Sequence, residues 1–93
     1  MAAARQRVVP APKDFSVRLS TGEWDYIMDG LRGITVFRAK VVVVPPSRET
    51  EDRLSTLVHE TLHASDPAMT EAEVERIAGD VAKVLWKAGY RRV

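Results

Sequence analysis

The second half of the chain carries two stretches of helical periodicity separated only by "DPAMT", residues 66–70. A break this short leaves two amphipathic helices one economical way to bury both apolar stripes, side by side and antiparallel. The first stretch runs from about Thr50 to Ala64 and spaces Leu54, Leu57, Val58 and Leu62 along one face. Glu51 and Asp52 lie in its first turn, where the helix dipole favours acids. The second opens with "TEAE", in which Thr70 is an N-cap and Glu73 completes a capping box. Val74, Ile77, Ala78, Val81 and Leu85 form its stripe, and Gly89 is a natural stop after Lys83 and Lys87.

The first half reads differently. "DFSVRL" alternates Phe15, Val17 and Leu19 with polar residues, as a half-buried strand does. "STGEWDYIMDGLRG" places Trp24, Ile27, Met28 and Leu31 at helical spacing after a Thr21 cap, with Gly30 and Gly33 as bounds. A short helix is the first reading of that stretch and an irregular strand the second. In "GITVFRAKVVVVPP", the runs Ile34–Phe37 and Val41–Val44 flank a hairpin-length turn, and Pro45 and Pro46 end the second run. Val41–Val44 reads equally well as the exposed edge of a small sheet or as a buried strand.

Pro10 and Pro12 discourage regular structure before this, so residues 1–13 read as a flexible leader and 14–93 as a single domain. The expected class is α+β: a small antiparallel sheet packed on the first helix, with the second helix antiparallel to it. A length of 93 residues, 45% of them hydrophobic, suffices for one modest core. A net charge of +1 gives no electrostatic case for nucleic acid as a partner. The basic end Lys83, Lys87, Arg91 and Arg92 reads as cations favouring a helix C-terminus. The longest apolar run is too short to span a bilayer, and the first residues lack the apolar core of a secretory signal. With no cysteine, the chain reads as cytoplasmic, and any metal site must use imidazoles and carboxylates.

Both histidines of the chain stand in "HETLH", as His59 and His63 with Glu60 after the first. On a helix, residues four apart lie one above the other on one face. Two imidazoles so placed can reach one Zn²⁺, and a carboxylate just beside them can take the proton of an attacking water. The two histidines lie off the centre of the Leu54–Leu62 stripe, so they are not simply core residues. Catalytic zinc usually takes three protein ligands, and the third must be a carboxylate here. The short break puts the start of the second helix near His63. Glu71 flanks its stripe there, and Glu75 lies one turn on and further out. Glu73 is occupied by the capping box, and Asp80 lies on the opposite flank. Glu71 is thus the first choice of third ligand and Glu75 the alternative. Asp66 and Asp80 are candidate partners for the imidazoles' other nitrogens. Trp24, Tyr26 and Trp86 read as core or rim aromatics, and Tyr26 and Tyr90 as minor candidates for oxyanion stabilisation.

From about Gly33 to Ala82 the layout resembles the ImmA/IrrE-type metallopeptidases, zincins of the gluzincin kind. A glycine-led hairpin, here "GITVFRAKVVVV", precedes their active-site helix. "RLSTLVHETLH" is similar to their "RFTLAHELGH", and "EAEVERIA" to their "ExExANxFA". The first Glu of that pattern carries the metal in the family and maps onto Glu71. This chain has Leu62 where the family has Gly before the second His, Glu75 where it has Asn, and a shorter loop between the helices. The tail "LWKAGYRRV" is similar to that of small phage-encoded HExxH proteins. The resemblance implies a minimal zincin-like domain that binds zinc through His59, His63 and Glu71. It implies hydrolysis of peptide bonds in a protein or peptide substrate, with Glu60 as general base. In zincins, substrate adds to an edge strand through main-chain hydrogen bonds. The competing expectation is a catalytically inactive zincin-like binding or regulatory protein, with a structural metal or none. A helix-rich DNA-associated regulator is disfavoured by the charge.

Overall fold

The computed structural model describes residues 14–30, 32–46 and 50–91. The expected leader 1–13, Leu31 and Arg92 lie outside the described residues. Four strands, β1 (Phe15–Leu19), β2 (Gly22–Met28), β3 (Ile34–Val36) and β4 (Val41–Val44), precede two helices, α1 (Glu51–Ser65) and α2 (Glu71–Lys87). The protein is α+β. Among the described residues, no helix is long and apolar enough to cross a membrane.

The "GEWDYIM" stretch forms strand β2 rather than the short helix that its spacing suggests. Trp24, Ile27 and Met28 fit the helical period and Trp24, Tyr26 and Met28 the strand period, and pairing decides between them. Trp24, Tyr26 and Met28 alternate onto one face, and β2 is flanked by β1 on one side and β4 on the other. Aromatic and β-branched residues suit that doubly paired, half-buried position. Thr21 caps no helix. Its hydroxyl donates to the Ala64 carbonyl at 2.7 Å and accepts from the Trp24 indole N–H at 2.8 Å, tying the β1–β2 turn to the end of α1.

The strand order is β1-β2-β4-β3. The sheet is therefore mixed, not wholly antiparallel: β4 pairs antiparallel with β3 but parallel with β2. The physical reason begins at the turn that ends β2. Gly30, at φ 79°, helps turn the chain past the place β4 will fill, so β3 lands on the far edge. Val41–Val44 is an interior strand as a result, and β3 is the edge beside α1.

Trp24 (1% exposed), Tyr26, Val42 and Val44 meet Ala64 of α1, with Leu57 and Met28 packed around them. Arg53 is buried at the start of α1, where its Nε donates to the Pro45 carbonyl at 3.0 Å. Thr50 caps α1 by accepting from the Arg53 N–H. Helix α2 buries Val74, Ala78 and Ala82 and packs against α1, antiparallel for so short a connection. Val81, assigned to the stripe from spacing, is instead exposed at the margin of that contact.

Candidate metal centre

Helix geometry alone stacks His59 above His63, with ring centroids 4.9 Å apart. Both side chains are about one-fifth exposed, at 19% and 20%. The short connection delivers Glu71, the first residue of α2, to the same place. One carboxylate oxygen of Glu71 lies 3.0 Å from His59 Nε2 and the other 2.8 Å from His63 Nε2. The ligand atoms of His59, His63 and Glu71 all lie within 4.8 Å of one another, a group able to hold a metal ion. Zinc bonds of about 2.0–2.1 Å in a tetrahedron would separate ligand atoms by roughly 3.3 Å. The two Glu71–histidine separations are a few tenths shorter, so a small outward shift of a mostly exposed Glu71 would open the site. Both imidazoles turn Nε2 toward the Glu71 carboxylate. Glu75, the alternative ligand, is exposed on α2 and is not part of the group.

Thr70 decides where Glu71 sits. Its side chain accepts from the Glu73 N–H, and the Glu73 carboxylate accepts from the Thr70 N–H at 2.9 Å, closing the capping box. The Thr70 backbone N–H holds the Glu73 carboxyl below the usual range, helped by the Thr70 hydroxyl and more weakly by Arg76, against slight desolvation. Because the folded value is depressed, this contribution is present above the unfolded value and is lost as pH falls through the folded one. Thr70→Ala is expected to cost about 1 kcal/mol of stability. It should also weaken metal binding, because Glu71 sits in the turn that the cap orders. Urea denaturation and metal titration of the same variant check both effects.

Glu60 lies on α1 between the ligand histidines but turns toward the sheet, where it is only 9% exposed. Its Oε1 is 2.5 Å from the Thr35 hydroxyl on β3, which also lies 3.1 Å from the Glu60 carbonyl. Gly33 packs against it so closely that a Cβ there would lie 2.7 Å from Thr56 Cγ2 and 2.8 Å from Glu60 Cγ. His59, Glu60, Gly33, Ser55 and Thr56 line one cavity of about 210 Å³. A larger cavity of about 540 Å³, walled in part by Arg32, Pro45, Pro46 and Arg53, shares Gly33 and Thr56 with it. Both cavities lie against α1 and meet at Gly33, just before β3.

Sequence reasoning missed Thr35, and took Gly33 as a boundary and as the leading glycine of the hairpin, without a role toward Glu60. A signal for Thr35 existed: a polar residue between Ile34 and Val36 faces the opposite side of a strand from both. Other candidates lie elsewhere. Asp66 accepts from the Ala68 N–H at 3.2 Å, and Asp80 is exposed on α2. The buried Tyr26 hydroxyl donates to Thr61 at 3.3 Å, and Tyr90 is exposed beyond the far end of α2. The Arg91 guanidinium stacks on Trp86, 3.2 Å from the ring centroid, and donates to the Trp86 carbonyl. That agrees with the helix-end role expected for the basic tail.

No protein-family model matches the chain, and neither does any curated protein or solved structure.

Proposed function

We propose that this protein is a zinc metallopeptidase of the zincin type, similar in its site to the ImmA/IrrE-type enzymes. The observation that carries the reading is one juxtaposition. Three side chains able to hold a cation, His59, His63 and Glu71, lie beside a cavity that His59 shares with the buried carboxylate of Glu60. Two imidazoles and one carboxylate with an open position are a donor set that zinc accepts, as do other divalent ions, and zinc when bound would supply Lewis acidity to the scissile carbonyl and to water.

The chain's own residues do the rest. His59, His63 and Glu71 set the place of the cation. Glu60 accepts the proton of the attacking water and passes it to the leaving amine, the usual work of a positioned carboxylate. The cavities against α1 next to the start of β3 would take an extended peptide, which main-chain hydrogen bonds to the β3 edge would align. The reading thus extends to a protein or peptide substrate and to the cytoplasm as its setting.

A second reading draws on the same triad. Glu71 already bridges both imidazoles, so the three residues tie α1 to α2 without chemistry. On that reading the protein is a zincin-like binding module. One experiment separates the two. Zinc-loaded protein is incubated with a mixed library of unstructured peptides, and new amino termini are read by mass spectrometry. Cleavage that depends on zinc and on Glu60 supports the enzyme. Stoichiometric zinc with no Glu60-dependent cleavage supports the binding module.

A further inference from the structure

We infer that Thr35 and Gly33 form a cradle that holds Glu60 with Oε1 engaged and Oε2 left to accept the proton. The inference rests on the reading of Glu60 as general base and adds two positioning residues to it. A threonine hydroxyl has a single hydrogen. Its contact with Glu60 Oε1 is 2.5 Å and that with the Glu60 carbonyl 3.1 Å, so the carboxylate is the nearer acceptor. Charge-assisted O–H···O⁻ bonds are short and among the stronger ones, so one oxygen is committed.

Gly33 sits against the other oxygen. A Cβ at that position would lie 3.0 Å from Oε2 as well as 2.8 Å from Cγ. Any side chain there would push the Glu60 stem away from β3, so the open backbone of Gly33 is what lets the carboxylate lie in the cavity it shares with His59. Gly33 immediately precedes the edge strand and Thr35 is its central residue, and both act on a residue about 25 positions later. Thr35 is in register with Val42, and Val42 is wholly buried, so the cradle is anchored to the sheet interior.

The proton path is balanced within the chain. Water loses a proton to Oε2 while its oxygen bonds the carbonyl carbon. The same proton then leaves Oε2 for the nitrogen as the carbon–nitrogen bond breaks. Throughout, Thr35 keeps its own hydrogen on Oε1 and acts only as a positioning residue.

Thr35→Val removes the hydroxyl at nearly constant shape, and Thr35→Ser restores it. With casein as the probe, zinc-loaded Thr35→Val is expected to lose about 10–100-fold in kcat with KM little changed, as outer partners of a site typically cost. Thr35→Ser is expected to recover most of the rate, with zinc content unchanged in both. Gly33→Ala should lower kcat in the same way. A second readout needs no turnover: the ¹³C side-chain carboxyl signal of Glu60, assigned by its loss in Glu60→Gln. It should move in Thr35→Val and return in Thr35→Ser. A Thr35→Val enzyme as fast as wild type, or a Thr35→Ser enzyme as slow as Thr35→Val, overturns the cradle while hydrolysis stands. If wild type leaves casein intact, the hydrolytic reading fails, and a carboxyl signal unmoved in Thr35→Val then overturns the cradle too.

Discussion

Glu60→Gln is expected to slow peptide hydrolysis by between about 10²- and 10⁴-fold, the usual contribution of a positioned general base. The substitution is close to isosteric, and the surroundings explain why it tests chemistry rather than folding. The side-chain carbonyl oxygen of the new amide can still accept from the Thr35 hydroxyl, which in the native chain contacts Oε1 at 2.5 Å. The amide nitrogen takes the place of Oε2, where it can donate but cannot take a proton. Glu60 is outside the His59, His63 and Glu71 group, so zinc content should stay stoichiometric. Initial rates of new amino-terminus formation, with metal analysis of the same preparations, check both statements. An undiminished rate would assign the base to another residue. Loss of zinc would mean that Glu60 supports the metal itself.

The second large effect is on stability. Zinc at about 100 times its dissociation constant should stabilise the folded chain by about 2.7 kcal/mol, because it binds the folded state and not the unfolded one. For a domain of this size that is a rise in Tm of roughly 10–20 °C. The cause is visible in the site: the cation would join two side chains of α1 to the first residue of α2 and so clip the helices together. Glu71→Gln should remove most of the rise while lowering the metal-free Tm only slightly. Glu71 is 66% exposed, and ion pairs of that kind contribute about 0–1 kcal/mol. Glu75→Gln should leave the rise intact. A thermal shift lost in Glu75→Gln and kept in Glu71→Gln would overturn the choice of third ligand.

The helical half of the fold was legible because its signals are local. Thr70 and Glu73 cap α2 as their spacing requires, and of the expected stripe Val74 and Ala78 are buried, while Val81 is exposed and Ala82 is buried in its stead. The length of "DPAMT" makes the two helices neighbours, so spacing alone brings the start of α2 near His63. The hairpin of β3 and β4 was equally local.

The strands were harder because their identity depends on partners. "GEWDYIM" satisfies two periodicities over its short length, and only pairing with β1 and β4 makes it a strand. The parallel pairing of β2 with β4 has no signature in either segment. Thr35 illustrates the same limit in the site: one threonine in a three-residue strand carries no mark of the carboxylate it will meet.

By itself, then, the chain determined its two helices, the capping box of the second, their antiparallel return and the nearness of His59 and His63 to the start of α2, with Glu71 favoured over Glu75. Each follows from spacing within a turn or across a short loop. The structure chose Glu71. Only the tertiary structure decided the mixed sheet, the edge position of β3 and the burial of Glu60 against Gly33 and Thr35. Those contacts join residues far apart in the chain. Which partners meet there is set by how the whole sheet packs on α1, not by any local preference.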